Sequence, residues 1–252
     1  MSEPKLKLLK GVNTEYVRDR FKKSGGHEIA SGKFSSRESS AALTANTFAW
    51  FHDRPALLPL FPGIVLSSSR ILSVDIEHCA RFPWRGGMHP WLDAWIETED
   101  TIIGVESKRF EPFRKKKAAS LSIAYDRKVW HDAMGKFERM RDRLRDGREH
   151  FEFLDAVQLV KHAFGLVTQG RKTGKRPWLV YLFAEPEEYQ RRVISQAERD
   201  SHREEALRFA KAVRGAEVGF YPLSYRDWMS SWDKGNAELI AHRDAIIENF
   251  HP

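Results

Sequence analysis

Residues 92–108, Leu-Asp-Ala-Trp-Ile-Glu-Thr-Glu-Asp-Thr-Ile-Ile-Gly-Val-Glu-Ser-Lys, constrain the fold more than any other stretch of the chain. Ile102 to Val105 is β-branched apart from Gly104, which favours a strand, and Thr98-Glu99-Asp100-Thr101 forms a natural turn. A turn centred on Glu99-Asp100 sets Thr98 opposite Thr101, Glu97 opposite Ile102 and Asp93 opposite Glu106. Side chains alternate faces along a strand, so Glu106 and Lys108 share one face. Asp93 lies on that face too, with its Cβ about 5 Å from that of Glu106. A loop one residue longer or shorter would separate the two carboxylates.

Two adjacent carboxylates repel unless a cation lies between them. Mg²⁺ suits Asp93 and Glu106, with Mn²⁺ as a substitute: a hard ion that accepts one or two carboxylates, keeps several waters and shares phosphate oxygens. It would acidify a bound water, and Lys108 would orient or deprotonate that water or neutralise a phosphate. Asp, Glu and Lys so arranged are the minimum kit for metal-dependent phosphodiester cleavage. The competing reading is a solvated hairpin with its charges outward.

The chain has 252 residues, with 41% hydrophobic content, eight Trp and sixteen Phe, enough for a sizeable core. The single cysteine, Cys79, excludes an internal disulfide and a multi-cysteine zinc site. No run approaches the roughly 20 apolar residues that span a bilayer, and Met-Ser-Glu-Pro-Lys-Leu-Lys has no apolar signal core. A cytoplasmic protein without a membrane partner is expected. The net charge of +7 favours a polyanion. Two runs concentrate it. The first, residues 108–117, holds Arg109, Arg114, Lys115, Lys116 and Lys117 just after Lys108, and is assigned to phosphate contact. The second, residues 171–176, is equally well a solvated loop.

Residues 1–33 read as a basic, partly helical arm, and 34–252 as a single domain. A helix is expected from Ser35, with Glu38 at capping-box spacing, to Phe51. Ile71 to Phe82 alternates as a half-buried strand, with Leu72, Val74, Ile76, His78, Ala80 and Phe82 on one face. Its other face carries Asp75 and Glu77, more in keeping with solvated acids than with support for the site. Helices are expected over 126–148, 152–167, 185–215 and 236–250, and strands over 177–183 and 217–223. This order predicts an α/β fold, a mixed sheet covered by helices on both faces.

The hairpin resembles the core of the PD-(D/E)XK nuclease superfamily. The chain is more narrowly similar to a bacterial group of restriction endonuclease-like proteins. The likeness spans residues 35 to 185. It is carried by the Ser-Ser helix with Asn46-Thr47-Phe48, by Leu92-Asp93, by Gly104-Val105-Glu106-Ser107-Lys108, by Gln158-Leu159-Val160-Lys161-His162, and by Leu179-Val180-Tyr181-Leu182. Leu92 stands where the superfamily pattern has proline. The resemblance implies that Asp93 and Glu106 bind the metal and that Lys108 assists the water. It places Glu38 as an extra glutamate near the metal, a role equal in weight to capping. It also suggests that Gln158, Lys161 and His162 contact phosphate or support Lys108, against an exposed helix edge. DNA is the implied substrate, a restriction-like endonuclease the implied activity, and a homodimer the arrangement that palindromic sites favour. Two other functions compete: a non-catalytic nucleic-acid-binding protein on the same scaffold, and a metal-free hydrolase using paired carboxylates on sugars, which the adjacent lysine and basic surroundings oppose.

Overall fold

Strand signals in the sequence condense into five strands of one central sheet. The computed structural model describes residues 6–25, 27–66, 70–114, 121–130 and 132–252. The sheet contains β1 (Ile71–Cys79), β2 (Trp91–Thr98), β3 (Thr101–Lys108), β4 (Arg176–Phe183) and β7 (Gly219–Ser224). A separate small hairpin pairs β5 (Glu188–Tyr189) with β6 (Arg192–Val193). Around them lie α1 (Thr14–Ser24), α2 (Ser40–Phe48), α3 (Gly135–Arg145), α4 (Ala156–Thr173), α5 (Gln196–Val213), α6 (Tyr225–Ser230) and α7 (Ala237–Phe250). Sheet order is β1-β2-β3-β4-β7; β1, β2 and β3 run antiparallel, while β3, β4 and β7 are parallel. This is the expected α/β architecture with a mixed sheet. Among the described residues, no helix is long and apolar enough to cross a membrane.

Connection length explains the mixture. The β2–β3 link is a tight turn in which Thr98 Oγ1 accepts the Thr101 N–H at 3.0 Å and Asp100 Oδ1 accepts both threonine hydroxyls. Parallel strands need long crossovers, here supplied by the segments bearing α4 and α5. The sheet is buried on both faces. Ile103, Val105, Val180 and Leu182 join a core with Val17, Phe21, Phe48, Trp228 and Ile246 of α1, α2, α6 and α7. Ile102, Leu179, Tyr181 and Phe183 join a second core with Phe137, Phe164 and Phe209 of α3, α4 and α5. Two-sided burial accounts for the unbroken apolar run in β4.

Gly104 interrupts the β-branched run of β3 for a packing reason. A Cβ there would sit 2.5 Å from Leu92 Cδ1 and 3.1 Å from Leu166 Cδ1. Gly104→Ala is therefore expected to cost about 1–3 kcal/mol, read as a lowered urea midpoint. A midpoint equal to that of the unmodified chain would show that Leu92 repacks freely.

Several boundaries differ from the sequence reading. Ser35 closes a short 3₁₀ turn, and the cap of α2 is Ser39, whose side chain accepts the Ala42 N–H at 3.0 Å. The Ser35–Glu38 capping box is therefore not formed. The helix expected from Glu185 begins only at Gln196, where Ser195 and Glu198 form a true capping box. The intervening residues make β5 and β6. The strand expected over 71–82 ends at Cys79 and changes face. Val74 and Ile76 enter the first core, Ala80 and Phe82 the second. The switch coincides with Glu77, whose φ of 49° is unusual for a non-glycine residue. Arg20 holds this kink, donating to the Ile76 carbonyl at 2.7 Å and the Glu77 carbonyl at 2.9 Å.

Candidate active site

The register of the β2–β3 pair is the one the turn implies. Glu97 faces Ile102, Trp95 faces Gly104 and Ala94 faces Val105. Asp93 and Glu106 follow one step beyond, at the end of the ladder. Asp93 is half-buried and its Oδ2 accepts the Ser107 N–H at 2.6 Å. The Ser107 hydroxyl meets the Tyr225 hydroxyl at 2.7 Å on the other side of the sheet. The residue between Glu106 and Lys108 thus anchors the motif to both Asp93 and α6.

Glu106 is only 1% exposed. Lys108 Nζ lies against its Oε1, and His162 Nε2 from α4 lies 2.9 Å from its Oε2. Lys108 and His162 are thus the partners of its two buried oxygens. A buried carboxylate is costly without such partners. Burial works to raise the Glu106 carboxyl, but the Lys108 ammonium and then His162 outweigh it and take it down to about 2. Burial and the neighbouring Glu106 charge hold Asp93 well above the ordinary carboxylate range. Burial opposes the charge on Lys108, yet Glu106 and Asp93 prevail and keep its ammonium above the usual lysine range. Adjacent carboxylates that cannot both ionise mark a place for a cation. Among the described residues no group of three or more His, Cys, Asp or Glu is arranged to hold a metal. A carboxylate pair alone would fit a largely hydrated hard ion rather than a protein-caged one.

Other acids lie near. Glu77 occupies the β1 position opposite Asp93, between the paired Ile76–Ala94 and His78–Leu92. It had read as a solvated acid. Burial instead pushes its carboxyl up to about 7, with Glu28 and Glu106 adding to the rise and a Ser24 hydrogen bond opposing it. A carboxyl raised on folding favours the fold when protonated and costs stability as pH climbs from its ordinary 4.5 to about 7. In metal-free protein, Glu77→Gln is expected to remove a loss on the order of 2 kcal/mol over that window, after allowance for partial exposure. Unfolding at pH 5 and pH 8 measures it, and an unchanged difference between the two pH values would refute it. Glu111 was also missed. Its Oε2 accepts the Arg109 N–H at 2.8 Å. Although burial opposes ionisation, the Lys108 ammonium and a Ser40 hydrogen bond hold it low. Asp75, by contrast, is engaged with Tyr16 at 3.0 Å and lies by His52.

The remaining candidates divide. Glu38 is not on a helix; it sits by Arg114 at 3.9 Å and accepts from Gln190 at 3.3 Å. Gln158 occupies the first turn of α4, one turn before His162 on the same face. Lys161 turns elsewhere, 5.9 Å above the Tyr125 ring. His162 is 2% exposed and meets Glu106, so it is placed to support the carboxylate and not to touch phosphate. Arg109 is also corrected: it is 4% exposed and donates to the Arg37 and Phe250 carbonyls. Arg114 stays partly exposed over the Tyr189 ring, at 4.6 Å. Lys115, Lys116 and Lys117 fall outside the described residues. The second basic run lies at the far end of the sheet, where Arg176 pairs with Thr101, Arg171 bonds Glu217 and Lys175 bonds Glu97. Trp95 is buried against His78 and not available to stack on bases.

A family model described as Restriction Endonuclease associating with ARP matches residues 2–243. No curated protein and no solved structure matches the chain. With nearly the whole length covered, the chain belongs to this restriction endonuclease family, which suggests a nuclease.

Proposed function

We propose that this member of the restriction endonuclease family is a Mg²⁺-dependent deoxyribonuclease that cuts DNA internally. Asp93 and Glu106 would hold the ion, and Lys108 would face the scissile phosphate. The observation that carries this reading is the buried Glu106 carboxylate at the end of the β2–β3 ladder, beside Asp93 and held between Lys108 and His162. When bound, a divalent ion supplies Lewis acidity, acidifying water and drawing charge from the phosphate. The protein's own groups do the rest. The Ser107 N–H fixes one oxygen of Asp93. His162, 2.9 Å from Oε2, helps to keep Glu106 ionised. Lys108, held protonated by its neighbours, contributes a fixed positive charge toward the phosphate in place of taking a proton. The Arg114 end of the site offers a further phosphate contact, and a homodimer would present two such sites to a palindrome.

Isothermal titration with Mn²⁺ and Mg²⁺, beside plasmid cleavage, tests this. The unmodified chain is expected to take up the ion and cut; Glu106→Gln is expected to lose uptake. DNA binding with no divalent uptake and no cleavage would instead identify a non-catalytic DNA-binding protein on a nuclease scaffold.

A further inference from the structure

The β5–β6 hairpin stands beside this site, and none of the proposed chemistry uses it. Its two-residue tip is Gln190-Arg191, with φ of 50° and 66°. Turns of this kind normally carry Asn-Gly, because both central residues need positive φ. Two long side chains there keep the backbone under strain, a condition that persists where surrounding structure enforces it.

That enforcement is visible in the stem. Ile194 is buried with Phe110 and Phe113. Arg192 donates to the Phe113 carbonyl at 2.9 Å and to Glu198 at 2.7 Å. The Tyr189 ring lies 5.2 Å from that of Phe110, which follows Lys108 by two residues. The hairpin is thus tied to the end of the catalytic strand. At its tip Arg191 is exposed and, among the described residues, makes no hydrogen bond or ion pair. Val193 beside it is 72% exposed. The exposed acids Glu187 and Glu188 stand at the base and Glu38 accepts from Gln190 at the tip, so Arg191 is the group of the tip that would attract a polyanion.

We infer that this hairpin is a DNA-contacting ribbon and that Arg191 touches the duplex next to the cut phosphate. The partner class rests on the nuclease reading above. A two-stranded ribbon fits the major groove, about 12 Å wide, and arginine binds either phosphate oxygens or a guanine edge.

Arg191→Gly separates contact from folding, because glycine adopts positive φ without strain. Its melting temperature is expected to rise, while affinity for a duplex, read by fluorescence anisotropy with Ca²⁺ in place of Mg²⁺, falls roughly tenfold. Arg191→Lys is expected to recover part of that affinity. A salt dependence shallower by about one unit of slope would mark a phosphate contact. A changed ranking among duplex sequences would mark a base contact. Unchanged affinity in Arg191→Gly, with cleavage by the parent chain intact, overturns the hairpin's role and leaves the nuclease reading standing. Weakened binding in a parent chain that never cleaves does the reverse.

Discussion

Replacing Asp93 by alanine is expected to lower metal-dependent DNA cleavage by at least roughly a thousandfold, while leaving the fold intact. The loss follows from the pair it belongs to: with one carboxylate gone, Glu106 meets Lys108 and His162 alone, and on the proposed function a divalent ion would lose half its protein ligands. Asp93→Asn sharpens the test because it predicts opposite signs for two measurements. Burial and Glu106 hold the Asp93 carboxyl well above its ordinary 3.8. In metal-free protein that shift costs stability progressively above pH 3.8, up to the raised value. The asparagine variant is freed of that cost, so its melting temperature at neutral pH rises as its cleavage disappears. Added Mg²⁺ should then stabilise the parent chain and not the variant. Cleavage at the parent rate by either variant would remove Asp93 from the chemistry.

Lys108→Ala carries the largest expected effect on stability, about 3–5 kcal/mol, from leaving a buried carboxylate without its main counter-charge. Glu106 is 2% and Lys108 16% exposed at the side chain, so water cannot make good the loss. The pH dependence has a definite sign. Glu106 is depressed to about 2 in the folded chain, so its contribution is complete above its ordinary 4.5 and is lost as pH falls toward 2. The gap between the parent chain and Lys108→Ala should be widest near neutrality and close in acid. Adding Glu106→Gln should restore much of the lost stability, a coupling that a double-mutant cycle in urea measures directly. Additive losses would show that Lys108 supports the fold through packing of its stem and not through Glu106.

The hairpin was legible because two local rules, strand alternation and a polar turn, fix its register without help from the rest of the chain. The same alternation misled at β1. It assigned Val74, Ile76, Ala80 and Phe82 to one face, whereas the kink at Glu77 sends the last two to the other core. That kink is held by Arg20, more than fifty residues earlier, a contact no local pattern announces. Arg109 is a similar case. Among basic neighbours it looked free for phosphate, yet the carbonyl that claims it belongs to Phe250, 141 residues later. The β5–β6 hairpin was hidden by Glu185-Pro186-Glu187-Glu188, which has the acids and proline of a helix start. The opposite clue lies ten residues on, where Ser195 and Glu198 mark the true start of α5. His162 was singled out by its spacing from Gln158, but only the docking of α4 on the sheet, where β4 lies parallel to β3, shows that it meets Glu106.

Strand β3 is the seam between two ways of building a sheet, and that sets the order in which the site is assembled. Its pairing with β2 is local and closes on the microsecond scale of hairpins. Its pairing with β4 joins Glu106 to Tyr181 and waits for a long crossover, the slow part of such topologies. On the ribosome, Asp93, Glu106 and Lys108 are all made before α4 exists. In that unfinished chain Glu106 lies open to water, without His162 and without a dry wall to strengthen its charge. In the proposed nuclease, the charged groups of the site are thus made before the half of the sheet that completes their surroundings.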